Sequence, residues 1–186
     1  MIDQVVILGA TGSIGASTLD VLHQHTDRFK VFGLSAQSRI RKLADIALEN
    51  STSVVSVGVG RSDEFVSLLN GRRPDIRVLE GMDGLNNLAC SAESTIIVTA
   101  IVGAAGLMPT LTAVRAGKTV LVANKEPLVM MGPEIMQEAM ASGAQVIPLD
   151  SEHNAVLQCL PEKYRVGHRK GCNKTLQDHG VEKIIL

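Results

Sequence analysis

A doubly wound α/β fold, a mostly parallel sheet with helices on both faces, is predicted by three features of the sequence. Short aliphatic runs alternate with amphipathic stretches over most of the chain. A glycine-rich turn joins the first run to the first amphipathic stretch, and polar or glycine-rich turns follow several later runs. Strands that read as unbroken apolar runs, each followed by a helical pattern, belong to parallel sheets covered on both sides.

The elements follow in order. "QVVIL" (4–8) leads into a helical pattern from Ser13 to about His25, and "KVFGLSA" (30–36) leads into "RIRKLADIALEN". "SVVSVG" precedes "SDEFVSLLNG", and "IRVLEG" precedes "MDGLNNLACS". "STIIVTA" (94–100) runs into "GLMPTLTAVRAG", "KTVLVA" into "PLVMMGPEIMQEAMASG", and "AQVIPL" into "HNAVLQCL". Gly71, Gly117 and Gly143 stand where helices stop, the punctuation that a left-handed C-terminal residue requires. After Pro161 the periodicity fails, and "VEKIIL" (181–186) reads as the start of a further strand. The expected organisation is a nucleotide-binding domain over 1–150 and the beginning of a second, catalytic domain over 151–186, with the chain a piece of something longer.

Composition narrows the function. The 186 residues carry a net charge of −1, which favours neither nucleic acid nor anionic membrane as a partner. No apolar run approaches the roughly twenty residues of a bilayer span, and the N-terminus shows no export signal. The three cysteines, Cys90, Cys159 and Cys172, are widely spaced, a pattern that suits a reducing cytoplasm. Cys159 falls in an amphipathic pattern and reads as core.

"ILGATGSIGAS" places Gly9, Gly12 and Gly15 at the first strand–helix junction. Gly9 permits the tight turn, Gly12 lets backbone approach a pyrophosphate, and Gly15 lets the helix lie close on the strand. Thr11, Ser13 and the first helical turn supply donors, and the helix dipole favours the anion. NAD-specific sites place an acid at the end of the second strand, but "LSAQSRIRK" has none; Ser38 and Arg39 come instead. Arg39 suits a 2′-phosphate, so NADP(H) is the expected cofactor. Arg41 and Lys42 read as the solvated face of the next helix.

Three turns at later strand ends complete a crevice: "TAIVGAAGL" (99–107), "VANKEPL" (122–128) and "LDSEHN" (149–154). The first would let a flat ring approach backbone, and the other two have plain structural explanations. Asn124, Lys125 and Glu126 would begin a helix, Ser151 would be an N-cap, and Glu152 a first-turn acid favoured by the dipole. Asp150 and Glu152, hard carboxylate donors just past a strand, equally suit a divalent cation.

Together "ILGATGSIGASTLDV", "AIVGAAGLMPTLTAVRAGKTVLVANKEPLV" and "PLDSEHNAVLQCLP" resemble the 1-deoxy-D-xylulose 5-phosphate reductoisomerase family. That resemblance implies a Rossmann-like domain and NADPH- and metal-dependent conversion of 1-deoxy-D-xylulose 5-phosphate to 2-C-methyl-D-erythritol 4-phosphate in non-mevalonate isoprenoid synthesis. It implies cofactor contacts at Thr11, Gly12, Ser13, Ile14, Ser38, Arg39, Asn124 and Glu126. Lys125 and Glu152 would be catalytic, with Lys125, Ser151 and Glu152 touching substrate. Asp150 and Glu152 would ligate Mg²⁺ or Mn²⁺, with Co²⁺ as a third candidate. The implied partners are a small phosphorylated sugar and, for the full-length protein, a second copy in a homodimer. The implied location is the bacterial cytoplasm, or the plastid stroma for a plant source. "AQSR" (36–39) and Pro127 depart from the family pattern, which also has a third metal carboxylate and phosphate-binding residues after this point. The expectation is therefore NADPH binding without turnover. Alternatives are another reductase with the same glycine spacing, such as a semialdehyde dehydrogenase or a dihydrodipicolinate reductase, and a stand-alone nucleotide-binding fragment.

Overall fold

The computed structural model describes residues 2–162, 164 and 175–184. Seven strands form one sheet in the order β4-β3-β2-β1-β5-β6-β7, every neighbouring pair parallel. The strands are β1 (Asp3–Leu8), β2 (Phe29–Ala36), β3 (Val54–Val57), β4 (Arg77–Glu80), β5 (Ile96–Thr99), β6 (Thr119–Val122) and β7 (Gln145–Pro148). Helices alternate with them: α1 (Ser13–Gln24), α2 (Ile40–Glu49), α3 (Ser62–Leu69), α4 (Gly81–Ala89), α5 (Leu107–Arg115), α6 (Glu126–Ser142) and α7 (Ser151–Cys159).

Side chains alternate across the sheet, so β1 feeds two cores. Val5 and Ile7 join the helix residues Leu19, Leu43 and Phe65 in one cluster. Val6 and Leu8 join Leu88, Leu111 and Ile135 in the other. Thus α1–α3 cover one face and α4–α6 the other, as doubly wound topology requires. The order reverses between β1 and β5, opening a crevice at their carboxyl ends, where such folds bind ligands.

Helix ends follow the glycines. Gly143 is the left-handed C-cap of α6, and Gly117 and Gly71 also have positive φ. α3 ends one residue earlier than its glycine, because Asn70 is itself left-handed. α6 is kinked at Met131, just before Pro133, which lacks the N–H a continuous helix needs.

The end of the described chain differs from expectation. Residues 181–184 are in no strand; "VEKI" pairs with neither sheet edge, and unpaired backbone cannot count as a strand. Cys159 is exposed rather than core, because α7 packs on the edge strand β7 and buries none of its residues. Cys172 lies outside the described residues. Among the described residues, no helix is long and apolar enough to cross a membrane.

Candidate functional site

The floor of the crevice is the turn from β1 to α1. Gly9 has φ +89°, and a Cβ there would stand 2.7 Å from the Ala100 carbonyl oxygen on the neighbouring β5 end. A Cβ on Gly15 would stand 2.5 Å from the Ala10 carbonyl oxygen. Both glycines are therefore demanded by close backbone approach. A Cβ on Gly12 would reach only the Gly9 carbonyl oxygen, at an ordinary 3.4 Å. Gly12 is the N-cap of α1, and Ser13 and Ile14 form its first turn. β2 holds this loop: the Gly9 N–H donates to Ser35 Oγ at 3.0 Å, and Ala10 N–H to the Ser35 carbonyl at 2.9 Å.

The cleft above this floor encloses about 390 Å³ and is lined from the ends of β1 to β5. Thr11, Gly12, Ser38 and Arg39 all line it. Arg39 is the charged side chain of the lining, which contains no carboxylate among the described residues. Its Nη1 donates to the buried Thr11 carbonyl at 3.1 Å. Lys42 Nζ donates to the same carbonyl at 3.1 Å. Two cations thus converge on the peptide that opens the α1 N-terminus. Lys42, expected only to face solvent, belongs to this site. No sequence signal marked it: Arg39 precedes α2 as its N-cap residue, with non-helical φ and ψ, and Lys42 lies in the first turn.

The outer walls are apolar and open. Val59 is 83% exposed, Val102 76% and Met82 45%, and all three line the cleft. Large apolar side chains left in water around a concavity fit a flat, weakly polar ring.

Across the switch point the remaining candidates cluster at the ends of β6 and β7. Asn124 is half-buried, Lys125 exposed, and Glu126 half-buried at the start of α6. Glu126 Oε1 accepts the Gly103 N–H at 3.1 Å, which ties this turn to the β5 wall of the cleft. Asp150, rather than Ser151, is the N-cap of α7, and it makes no side-chain capping bond. Ser151 and Glu152 are exposed in the first turn. Asn154 secures the turn by donating Nδ2–H to the Pro148 carbonyl at 2.8 Å. Among the described residues no three His, Cys, Asp or Glu groups gather where they could hold a metal ion. Asp150 and Glu152 are two carboxylates at the start of α7, donors of the kind that suits Mg²⁺ or Mn²⁺ when substrate or water supplies the remaining oxygens. Ser13, Ile14, Asn124, Lys125, Glu126, Asp150, Ser151 and Glu152 lie outside the cleft lining itself.

A parallel sheet with a glycine turn, a helix N-terminus and a ligand-sized cleft at its switch point defines a Rossmann-like, dinucleotide-binding class of protein. Within that class, the profile of the 1-deoxy-D-xylulose 5-phosphate reductoisomerase family matches residues 5–132, and the chain belongs to that family. The chain is 45% identical over 184 residues to the reductoisomerase of Janthinobacterium sp. (strain Marseille), covering 98% of this chain and 45% of the relative. It is 47% identical over 187 residues to the reductoisomerase of Acinetobacter baumannii (strain AYE), covering 100% of this chain and 46% of the relative. A crystal structure of DOX-P reductoisomerase with NADPH, fosmidomycin and magnesium superposes with a TM-score of 0.85 at 40% identity, covering 88% of this chain and 40% of that one. The chain therefore spans about half the length of the relatives it matches. The match sets aside the reading as a semialdehyde dehydrogenase or dihydrodipicolinate reductase.

Proposed function

We propose that the chain is the cofactor-binding part of an NADPH- and divalent-metal-dependent 1-deoxy-D-xylulose 5-phosphate reductoisomerase, whose product is 2-C-methyl-D-erythritol 4-phosphate. The observation that carries this reading is the convergence of Arg39 and Lys42 on the Thr11 carbonyl, beside a cleft lined by no carboxylate among the described residues. An NAD site needs an acid to accept from the ribose hydroxyl; a 2′-phosphate needs cations.

Each residue has a role in that reading. The Gly12 turn and the α1 N-terminus, with Thr11, Ser13 and Ile14, take the pyrophosphate. Ser38, Arg39 and Lys42 take the 2′-phosphate. Val59, Met82 and Val102 shelter the adenine ring, and Asn124 and Glu126 frame the nicotinamide end. Lys125 and Ser151 hold the substrate, and Asp150 and Glu152 hold the metal. When bound, NADPH supplies hydride and the cation supplies stabilisation of charge on the substrate's oxygens. Residues 1–150 form the cofactor domain, and 151–186 open the catalytic part. The full-length protein is a cytoplasmic homodimer in this reading; the relatives named above are bacterial.

Two carboxylates do not complete a metal shell, so the chain alone binds NADPH and does not turn over. The test sets the 186-residue chain beside a full-length relative, each with substrate, NADPH and Mn²⁺. The relative alone is expected to oxidise NADPH in a substrate-dependent way, while both quench or enhance NADPH fluorescence on binding. Turnover by the short chain at a comparable rate, or no NADPH binding by it, overturns the reading.

A further inference from the structure

The turn after β2 is exposed from Gln37 to Arg39 and lacks glycine, yet it must present Ser38 and Arg39 in one geometry. Arg39 itself sits at φ −84°, ψ 60°, outside regular structure. The support comes from β3 and β4. Arg61, the N-cap residue of α3, donates from Nη2 to the Ser38 carbonyl at 3.1 Å. Its Nε lies 3.0 Å from Glu64 Oε2. Its backbone N–H donates to Glu80 Oε1 at 2.8 Å, and the Ser62 N–H donates to the same oxygen at 3.3 Å. Arg61 N–H is also within 3.2 Å of the Gly58 carbonyl, and Gly58 packs so tightly on Gln37 that a Cβ would stand 2.5 Å from the Gln37 carbonyl oxygen. One segment, 58–61, thus backs the turn at Gln37 and Ser38.

We infer that Arg61 is a positioning residue for cofactor selectivity, holding the Ser38 peptide so that Ser38 and Arg39 meet a 2′-phosphate rather than a bare 2′-hydroxyl. The inference rests on the reading of the cleft as an NADPH site. Arg61 acts through the turn and not by contact with the nicotinamide or substrate. An exposed turn held in its bound shape loses less freedom when the phosphate arrives. The two acids nearby do not oppose the phosphate freely: Glu64 is paired with Arg61 itself, and Glu80 is turned onto backbone amides.

The test is a matched titration of NADPH and NADH on the 186-residue chain, with thermal unfolding recorded for each variant. In Arg61→Gln the NADPH dissociation constant should rise roughly 3- to 10-fold, the equivalent of one lost hydrogen bond, while that for NADH stays within about 2-fold. Arg61→Lys should recover part of the ratio, since an ammonium can still donate to the Ser38 carbonyl. Glu64→Gln breaks only the ion pair and should leave the ratio unchanged. A uniform weakening of both cofactors in Arg61→Gln, or an unchanged ratio, overturns the inference. So does a ratio that falls equally in Glu64→Gln, which would make local charge and not the Ser38 contact the cause. A wild-type chain that binds neither cofactor, or binds both alike, overturns instead the cofactor reading beneath it.

Discussion

The Glu126 carboxylate and the Gly103 amide are joined by a hydrogen bond of 3.1 Å. That bond spans the switch side of the sheet, from the start of α6 to the turn that follows β5. Gly103 sits at φ 76°, ψ −164°, a region essentially reserved for glycine. Glycine reaches it without strain but loses much conformational freedom there, so an anchor helps to hold the turn. Glu126→Ala should destabilise the free chain by about 1 kcal/mol, the usual net worth of such a bond, and Glu126→Gln by less, because an acceptor remains. Urea unfolding of the three proteins checks this. If Glu126 serves only the cofactor, Glu126→Ala weakens NADPH binding and leaves unfolding untouched.

The glycines of the first turn should separate stability from binding. Alanine at Gly15 would drive Cβ to 2.5 Å from backbone at Ala10, a clash no side-chain rotation relieves. We expect a loss of about 3 kcal/mol, the upper end for overpacking. Alanine at Gly12 meets only an ordinary 3.4 Å contact and keeps a permitted φ of −79°. Its cost in stability should stay near 1 kcal/mol, that of a poorer N-cap, while its methyl fills space the pyrophosphate would use. Paired unfolding and NADPH titrations should show Gly15→Ala failing in the first and Gly12→Ala in the second.

Gly9 and Gly15 also mark what was legible in the sequence. Their spacing at a strand–helix junction implied close backbone approach, and the structure contains that approach. The alternation of aliphatic runs likewise implied a parallel sheet covered on both faces, because only such a sheet buries every side chain of its strands. Lys42 was not legible in the same way. Its partner is a carbonyl 31 residues away in sequence, and an exposed lysine in a first helical turn has the appearance of a solvated one. Arg61 and Glu80 escaped notice for the same reason, since β3 and β4 reach the cleft only once the strand order is known. Cys159 misled in the opposite direction. A helical apolar pattern implies a covered face, but α7 lies at the sheet edge with no buried residue.

Acid should loosen the support beneath the β2 turn. The Arg61 and Ser62 amides, donating to Glu80, hold its carboxyl below its ordinary value of 4.5. A carboxyl whose folded value is depressed stabilises the fold above its unfolded value, and that contribution is lost as pH falls through the folded value. The melting-temperature gap between the wild type and Glu80→Gln should therefore be constant near neutrality and close as pH drops below about 4.5. A gap that persists unchanged in acid would mean Glu80 acts through something other than its charge.

Asp150 and Glu152 should bind Mn²⁺ poorly in the chain alone. With two carboxylates and no cluster of three metal-ligating groups among the described residues, the affinity should be on the order of millimolar, as in weak oxygen-ligand sites. Electron paramagnetic resonance of free Mn²⁺ during titration reads this directly. Asp150→Asn should abolish what binding there is; micromolar affinity that survives this substitution would place the metal elsewhere.

In the proposed function Arg39 and Lys42 make this cleft a receptor for a 2′-phosphate. That role is tested most directly by calorimetric titration of the chain with NADPH and with NADH, repeated on the Arg39→Ala/Lys42→Ala double variant. A hydrogen bond to a charged group contributes roughly 1.5–3 kcal/mol, so NADPH should bind the wild type about 10- to 100-fold more tightly than NADH. In the double variant that preference should disappear, with NADH affinity little changed. Equal dissociation constants in the wild type, or a preference that survives loss of both cations, would mean that these two side chains do not receive a 2′-phosphate.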